Sequence, residues 1–229
     1  PHECSSAASD VYKRQGLLTA VFGLKAAIAL MLVPSFATNI VQGLTGGALK
    51  EILGRLWFLL AVACVAIWLF SALLAGGDTA ILSAILGLSL CLYGGLSLTR
   101  PQVQAPGDKE QWLSPLIGAI NGGLTGLTGS FVVPGVLYLQ ALGWPRDIFI
   151  QAMGVLFTVS TVALGISMTG RGLLSADLGL LSFVGLVPAF IGMYIGQKVR
   201  KRLSEARFRQ VFFISVAVLG TYIIVRSLL

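Results

Sequence analysis

Leu113–Leu142, LSPLIGAINGGLTGLTGSFVVPGVLYLQAL, decides how the rest of the chain is read. It is apolar enough to enter a bilayer, yet its middle carries Asn121, Gly122, Gly123, Thr125, Gly126, Thr128, Gly129 and Ser130, with Pro134 just beyond. Each glycine in a helix interior costs roughly 1 kcal/mol relative to alanine, and this run is dense in them. Inside lipid, broken backbone persists only where protein or a water-filled cavity satisfies its polar groups. A broken, hydroxyl-rich segment at membrane depth is therefore a candidate substrate site, because transporters hold anions at the free N–H groups of such breaks. The competing reading is that the small residues let helices pack closely.

Composition sets the solvent. Of 229 residues, 56% are hydrophobic and only 11% charged, and the mean hydropathy is +0.89. Spanning helices need about 20 mostly apolar residues each, so the chain is expected to be an all-α polytopic membrane protein, its partner the lipid bilayer. The net charge of +7 would suggest nucleic acid in a soluble protein. Here the basic residues lie in connections between apolar runs, where they report orientation, and no nucleic-acid partner is expected. Cys64 and Cys91 sit within apolar runs and read as small buried hydrophobes, with no CxxC and no clustered histidines. No metal site and no cofactor are expected.

The first fifteen residues, PHECSSAASDVYKRQ, differ from the rest. They are polar, hold the only histidine (His2) and resemble translated adaptor sequence, so 1–15 is expected to be a non-native extension. It lacks the apolar core of a signal peptide. Without His2 the usual general base and commonest metal ligand are gone. With no acid in mid-membrane either, nothing reads as an enzyme active site.

In chain order, Lys25–Leu44 is a first span, interrupted by Pro34 and carrying Ser35, Thr38, Asn39 and Gln42 at helical spacing on roughly one face. Leu56–Leu74 and Thr79–Leu98 follow. Arg100–Gln111, with Pro101, Pro106 and Gly107, is the longest polar connection. After the broken segment come a turn at Gly143–Asp147 and spans over Ile148–Met168, Leu178–Ile195 (with Pro188) and Val211–Leu228. Trp57, Trp68 and Trp144, near span ends, are expected to anchor at interfaces. Offsetting the chain by about 120 residues lays Thr38 on Thr158 and the second span over Ala176–Tyr194. The expected organisation is a first half at 16–99 whose own broken segment is missing, a polar loop at 100–112, and a second half at 113–229.

Orientation tests how Leu113–Leu142 sits. If it crosses once, the basic loops divide almost evenly between the two sides. If it re-enters, Lys50, Arg55, Arg100, Lys109 and Arg146 join the six basic residues of Gln197–Arg209 on one side. Arg171 is then left on the other, with Lys25 if the missing hairpin also re-entered. The positive-inside rule favours re-entry. A hairpin plus three spans is an odd number of crossings, so the halves would be inverted repeats.

Gly118–Pro145, GAINGGLTGLTGSFVVPGVLYLQALGWP, resembles the second-half signature of the sulfite exporter TauE/SafE family, carried by Gly118, Gly122 (or Gly123), Gly126, Gly129 and Pro134. The stretch Leu32–Asn39 resembles the span that follows the first-half signature. The sequence departs from the pattern at Ser130-Phe131, where the family has a glycine pair. The resemblance implies a multi-pass transporter of the bacterial plasma membrane, moving small anions such as sulfite, sulfonates or related organosulfur compounds. The alternative class is a structural or assembly subunit without transport. A homo-oligomer is compatible with either.

A neutral cavity lined by hydroxyls and amides suits an anion, since a carboxylate there would repel it. The candidate binding residues are Asn121, Gly122, Thr125, Gly126, Thr128, Gly129, Ser130 and Pro134 of the broken segment. Ser130 is expected to cap a helix starting at Phe131 and leave N–H groups free. Pro34, Ser35, Thr38, Asn39 and Gln42 of the first span join them, with Gln151 and Thr158 of the span after the turn.

Overall fold

Apolar runs of this length, without water to bond, close their backbone hydrogen bonds within helices, and that is what the computed structural model shows. It describes residues 17–99, 105–187 and 205–228. The helices are α1 (Leu24–Leu44), α2 (Leu49–Gly76), α3 (Thr79–Thr99), α4 (Glu110–Thr128), α5 (Gly135–Ala141), α6 (Arg146–Gly170), α7 (Ala176–Val184) and α8 (Glu205–Leu228). A helical stretch at 17–22 precedes them. Leu24–Leu44, Leu49–Gly76, Thr79–Leu96 and Arg146–Gly170 are each long and apolar enough to cross a membrane. Each contains the corresponding span read from the sequence, or ends within about two residues of it. The fifth expected span is described only as far as 187, so Pro188 falls outside the described residues. So do residues 1–15, 100–104 and 198–202.

Paired helices run alongside one another. α1 and α6 cross antiparallel where Gly43 meets the backbone of Gly154, with Leu32 beside Gly165 further along. α3 and α8 are also antiparallel, Gly87 against Gly220 and Gly94 against Phe213 and Ala217. α2 pairs with α4. Leu56, Leu59 and Ile67 of α2 form a fully buried core with Val132, Leu139, Met153 and Leu156, while Trp57, Val65, Trp68 and Leu73 are turned outward. An apolar outer face needs no burial where lipid is the solvent.

Pro34 lies inside α1 and lacks the N–H that would bond the Leu30 carbonyl. Ser182 of α7 repairs the gap: its Oγ donates to Leu30 O at 2.9 Å and accepts from Val33 N at 3.1 Å. α7 itself starts at Ser175, whose side chain accepts from Leu178 N, the expected behaviour of an N-cap serine.

Candidate anion site at the break in the hairpin

Neighbouring residues fix the path of the hairpin. Gly118, Gly122 and Gly126 recur every four residues on one face of α4. They meet backbone at Leu59, Ala63 and Ile67 of α2, in that order, so the two helices run parallel. A Cβ on Gly118 would lie 2.5 Å from the Leu59 carbonyl oxygen, and one on Gly126 2.8 Å from that of Ile67. Close approach offsets the helical cost of these glycines, and α4 runs unbroken through Gly122, Gly123 and Gly126. The expected interruption is therefore displaced to Gly129, the one residue of the group in the left-handed region, at φ 71°, where its N–H closes on Thr125 O at 2.7 Å.

The chain then turns back along α4. Thr125 Oγ1 donates to the carbonyls of Asn121, at 2.7 Å, and Ser130, at 3.1 Å. Ser130 N donates to Thr128 Oγ1 at 3.2 Å, and Gly135 N to Asn121 Oδ1 at 3.0 Å. Ser130 was expected to cap a helix beginning at Phe131. The threonines hold it in the turn instead, and the next helix begins at Gly135, behind Pro134. The return ends at Trp144, whose ring lies 5.0 Å under the Arg55 guanidinium. Arg55 also makes a two-bond pair with Glu110, at 2.6 and 2.7 Å. Both ends of the hairpin thus meet at Arg55, which defines the near end of the molecule. The far end is the end of α2, where Gly126 abuts Ser71.

The break exposes donors. Among the described residues, the N–H groups of Phe131, Val132 and Val133 find no partner, although Phe131 is 4% and Val132 0% exposed. Buried backbone donors are nearly always paired. Asn121 Nδ2, Asn39 Nδ2 and Ser160 Oγ are likewise buried and without a partner among the described residues. Gly129 and Phe131 border a cavity of about 20 Å³, walled by Ile28, Met31, Leu32 and Ser35 of α1 and by Thr161 and Leu164 of α6. That is room for about one water.

The remaining residues singled out by sequence divide. Ser35 reaches the cavity. Thr38 bonds back to the carbonyls of Pro34 and Ser35 in its own helix, and Thr158 to that of Gly154. Gln42 donates to Ile150 O at 2.8 Å. Gln151 donates to Gly43 O at 3.0 Å and accepts from Ala48 N at 2.9 Å, so its amide is spent tying the α1–α2 turn to α6. Gly122 and Gly126 belong to the packing face.

Sequence reading did not connect Arg171 with Ser71. At the far end, Arg171 Nε donates to Ser71 Oγ at 3.1 Å and Ser167 Oγ at 3.4 Å. Nη2 donates to Trp68 O at 2.7 Å, and the group lies 5.5 Å over the Trp68 ring. Ser71 and Ser167 share a further hydrogen bond. Lys25 Nζ donates to Ala75 O at 2.9 Å nearby. A serine in an apolar run was the only signal, and nothing in the sequence says which distant residue it meets. Among the described residues no group of histidine, cysteine, aspartate or glutamate could hold a metal ion.

Compared with known proteins, residues 16–223 match the sequence model of the family described as Sulfite exporter TauE/SafE. No curated protein and no solved structure matches the chain. The family match covers nearly all of the described residues, including both arms of the hairpin and the helices that wall the cavity. The chain belongs to the sulfite exporter TauE/SafE family.

Proposed function

We propose that the protein moves small anions of the sulfite or sulfonate class across a bacterial plasma membrane, binding them at the break between Gly129 and Pro134. The N–H groups of buried Phe131 and Val132 and of half-buried Val133, without a partner among the described residues, carry this reading. Buried donors without acceptors cost about 1–3 kcal/mol each, and an oxyanion supplies several acceptors at once. Ser35 and Thr161 line the cavity beside the break. Asn121 reaches the return arm through Gly135 N and keeps a buried Nδ2 without a partner among the described residues, and the described carboxylates sit in connections or at helix ends. The antiparallel pairing of α1 with α6 and of α3 with α8 supports inverted halves. Lys50, Arg55, Lys109 and Arg146 lie at or near the starts of α2, α4 and α6, and the positive-inside rule assigns that near end to the cytoplasm.

Flux of radiolabelled sulfite into proteoliposomes tests the reading. Asn121→Asp keeps the acceptor for Gly135 N but replaces the free Nδ2 with a charged oxygen. It is expected to weaken apparent affinity at least tenfold. Thr128→Val, which removes the hydroxyl that receives Ser130 N, is expected to cost about 1 kcal/mol, roughly fivefold. Parental affinity in both variants, at normal expression, overturns the site.

A further inference from the structure

We infer that Arg171 receives the anion at the far mouth of the molecule, one stage before the break; this rests on the break being the anion site. Helical spacing sets the line. Thr161 and Leu164 of α6 wall the cavity, and Ser167 and Arg171 continue the same face outward. Arg171 lies about 10 Å further along the axis than Leu164. From the other wall, Ile28 of α1 borders the cavity and Lys25 stands one turn outward, its ammonium on Ala75 O. α4 ends against the same place, since a Cβ on Gly126 would lie 3.0 Å from Ser71 N.

Charge separates this cluster from an ordinary helix tie. Among the described residues, the hydrogen-bond partners of Arg171 are neutral oxygens: two serine hydroxyls and the Trp68 carbonyl. Among the described residues no carboxylate forms an ion pair with Arg171 or Lys25. The acids at this end of the molecule look elsewhere, Asp78 accepting from Ala80 N and Asp177 sitting exposed in the first turn of α7. A guanidinium has five N–H donors, and Nη1 is uncommitted among the described residues. Ser71 (0% exposed) and Ser167 (2%) hold Nε from below, and the Trp68 face supports the plane. A half-buried, pre-oriented fork with spare donors and no counter-ion fits a small oxyanion, which it can bind through two parallel bonds.

The concentration dependence of radiolabelled sulfite uptake into proteoliposomes, at low and high salt, tests the assignment on the full chain. Arg171→Gln is expected to raise KM about tenfold and flatten its salt dependence, because a fixed charge at a mouth recruits anions in a screenable way. Arg171→Lys should restore the salt dependence and part of the affinity, and Arg55→Gln should leave KM at the parental value. Parental KM and salt slope in Arg171→Gln, with Asn121→Asp still defective, overturns this inference alone. Parental behaviour in both variants overturns the break as well. If Arg171→Gln does not reach the bilayer folded, Ser167→Asp decides: the new carboxylate occupies the guanidinium, and KM must rise. An unchanged KM there overturns the proposal.

Discussion

Two arginines stand at opposite ends of the molecule, each over a tryptophan, and they differ in what faces them. Arg55 lies 5.0 Å over Trp144 and is matched by the Glu110 carboxylate through two bonds. Arg171 lies 5.5 Å over Trp68 and, among the described residues, is matched by hydroxyls and a carbonyl with no carboxylate. The first arrangement closes a hairpin, since it joins α2, the start of α4 and the end of the return arm. The second leaves a positive charge with spare donors above a buried break. The same side chain thus serves as a neutralised tie at one end and an open cationic site at the other, and the partner decides which.

The comparison fails outright if the two ends share a side of the membrane. With Cys4, Cys64 and Cys91 replaced, a cysteine at Asp147 and one at Thr169 are expected to label from opposite sides, only 169 reacting with an impermeant thiol reagent added outside. Labelling of both from outside breaks the contrast between near and far ends. A smaller but still large effect is expected from Arg171→Glu, which turns attraction into repulsion. Sulfite flux should fall by about a hundredfold at low salt, and less at high salt, since like charge across a recognition surface costs several kcal/mol. Trp68→Leu removes the platform and leaves the charge, so affinity should fall only a few-fold, in line with about 0.5–1 kcal/mol for an exposed cation–π contact.

The smallest effects belong to the near end. Arg55 and Glu110 are partly exposed, so Glu110→Gln should lower stability in detergent by about 0.5–1 kcal/mol and leave sulfite KM unchanged. The Arg55 guanidinium, through hydrogen bonding first and charge second, holds the Glu110 carboxyl below its usual range. The tie therefore stabilises the fold above the ordinary carboxylate range and is lost as pH falls through the lowered folded value. Melting followed into acid should show the parent converging on Glu110→Gln. Parallel curves would mean that the pair contributes nothing.

Much of this was legible because membrane helices announce themselves. The apolar lengths gave α1, α3 and α6 with boundaries within about two residues of those found, whereas α2 and α8 begin at Leu49 and Glu205, well before the expected Leu56 and Val211. Basic loops alone pointed to a hairpin whose ends meet, which the Arg55–Glu110–Trp144 cluster shows. What glycine does was not legible. Gly122 and Gly129 have the same local composition around them, yet one faces a neighbouring helix at close range and the other turns the chain, and only the partner distinguishes them. Gln151 looked like a site residue because a buried amide in an apolar span usually signals function. Its bonds to Gly43 and Ala48 belong to a turn about a hundred positions earlier, beyond any local pattern. Ser182 and Ser71 were missed for the same reason, each being paired with a residue far off in sequence.

The turn at Gly129 also settles a matter of parity. Because the chain doubles back there and leaves beside Arg55, α6 starts at the same end as α4 and runs against α1, and the later α8 runs against α3. A straight passage through the same depth would reverse the direction of every helix after it, leaving α6 parallel to α1 and α8 parallel to α3. One left-handed residue therefore sets whether α6 runs against α1 or along it. A local backbone dihedral acts here as a global sign.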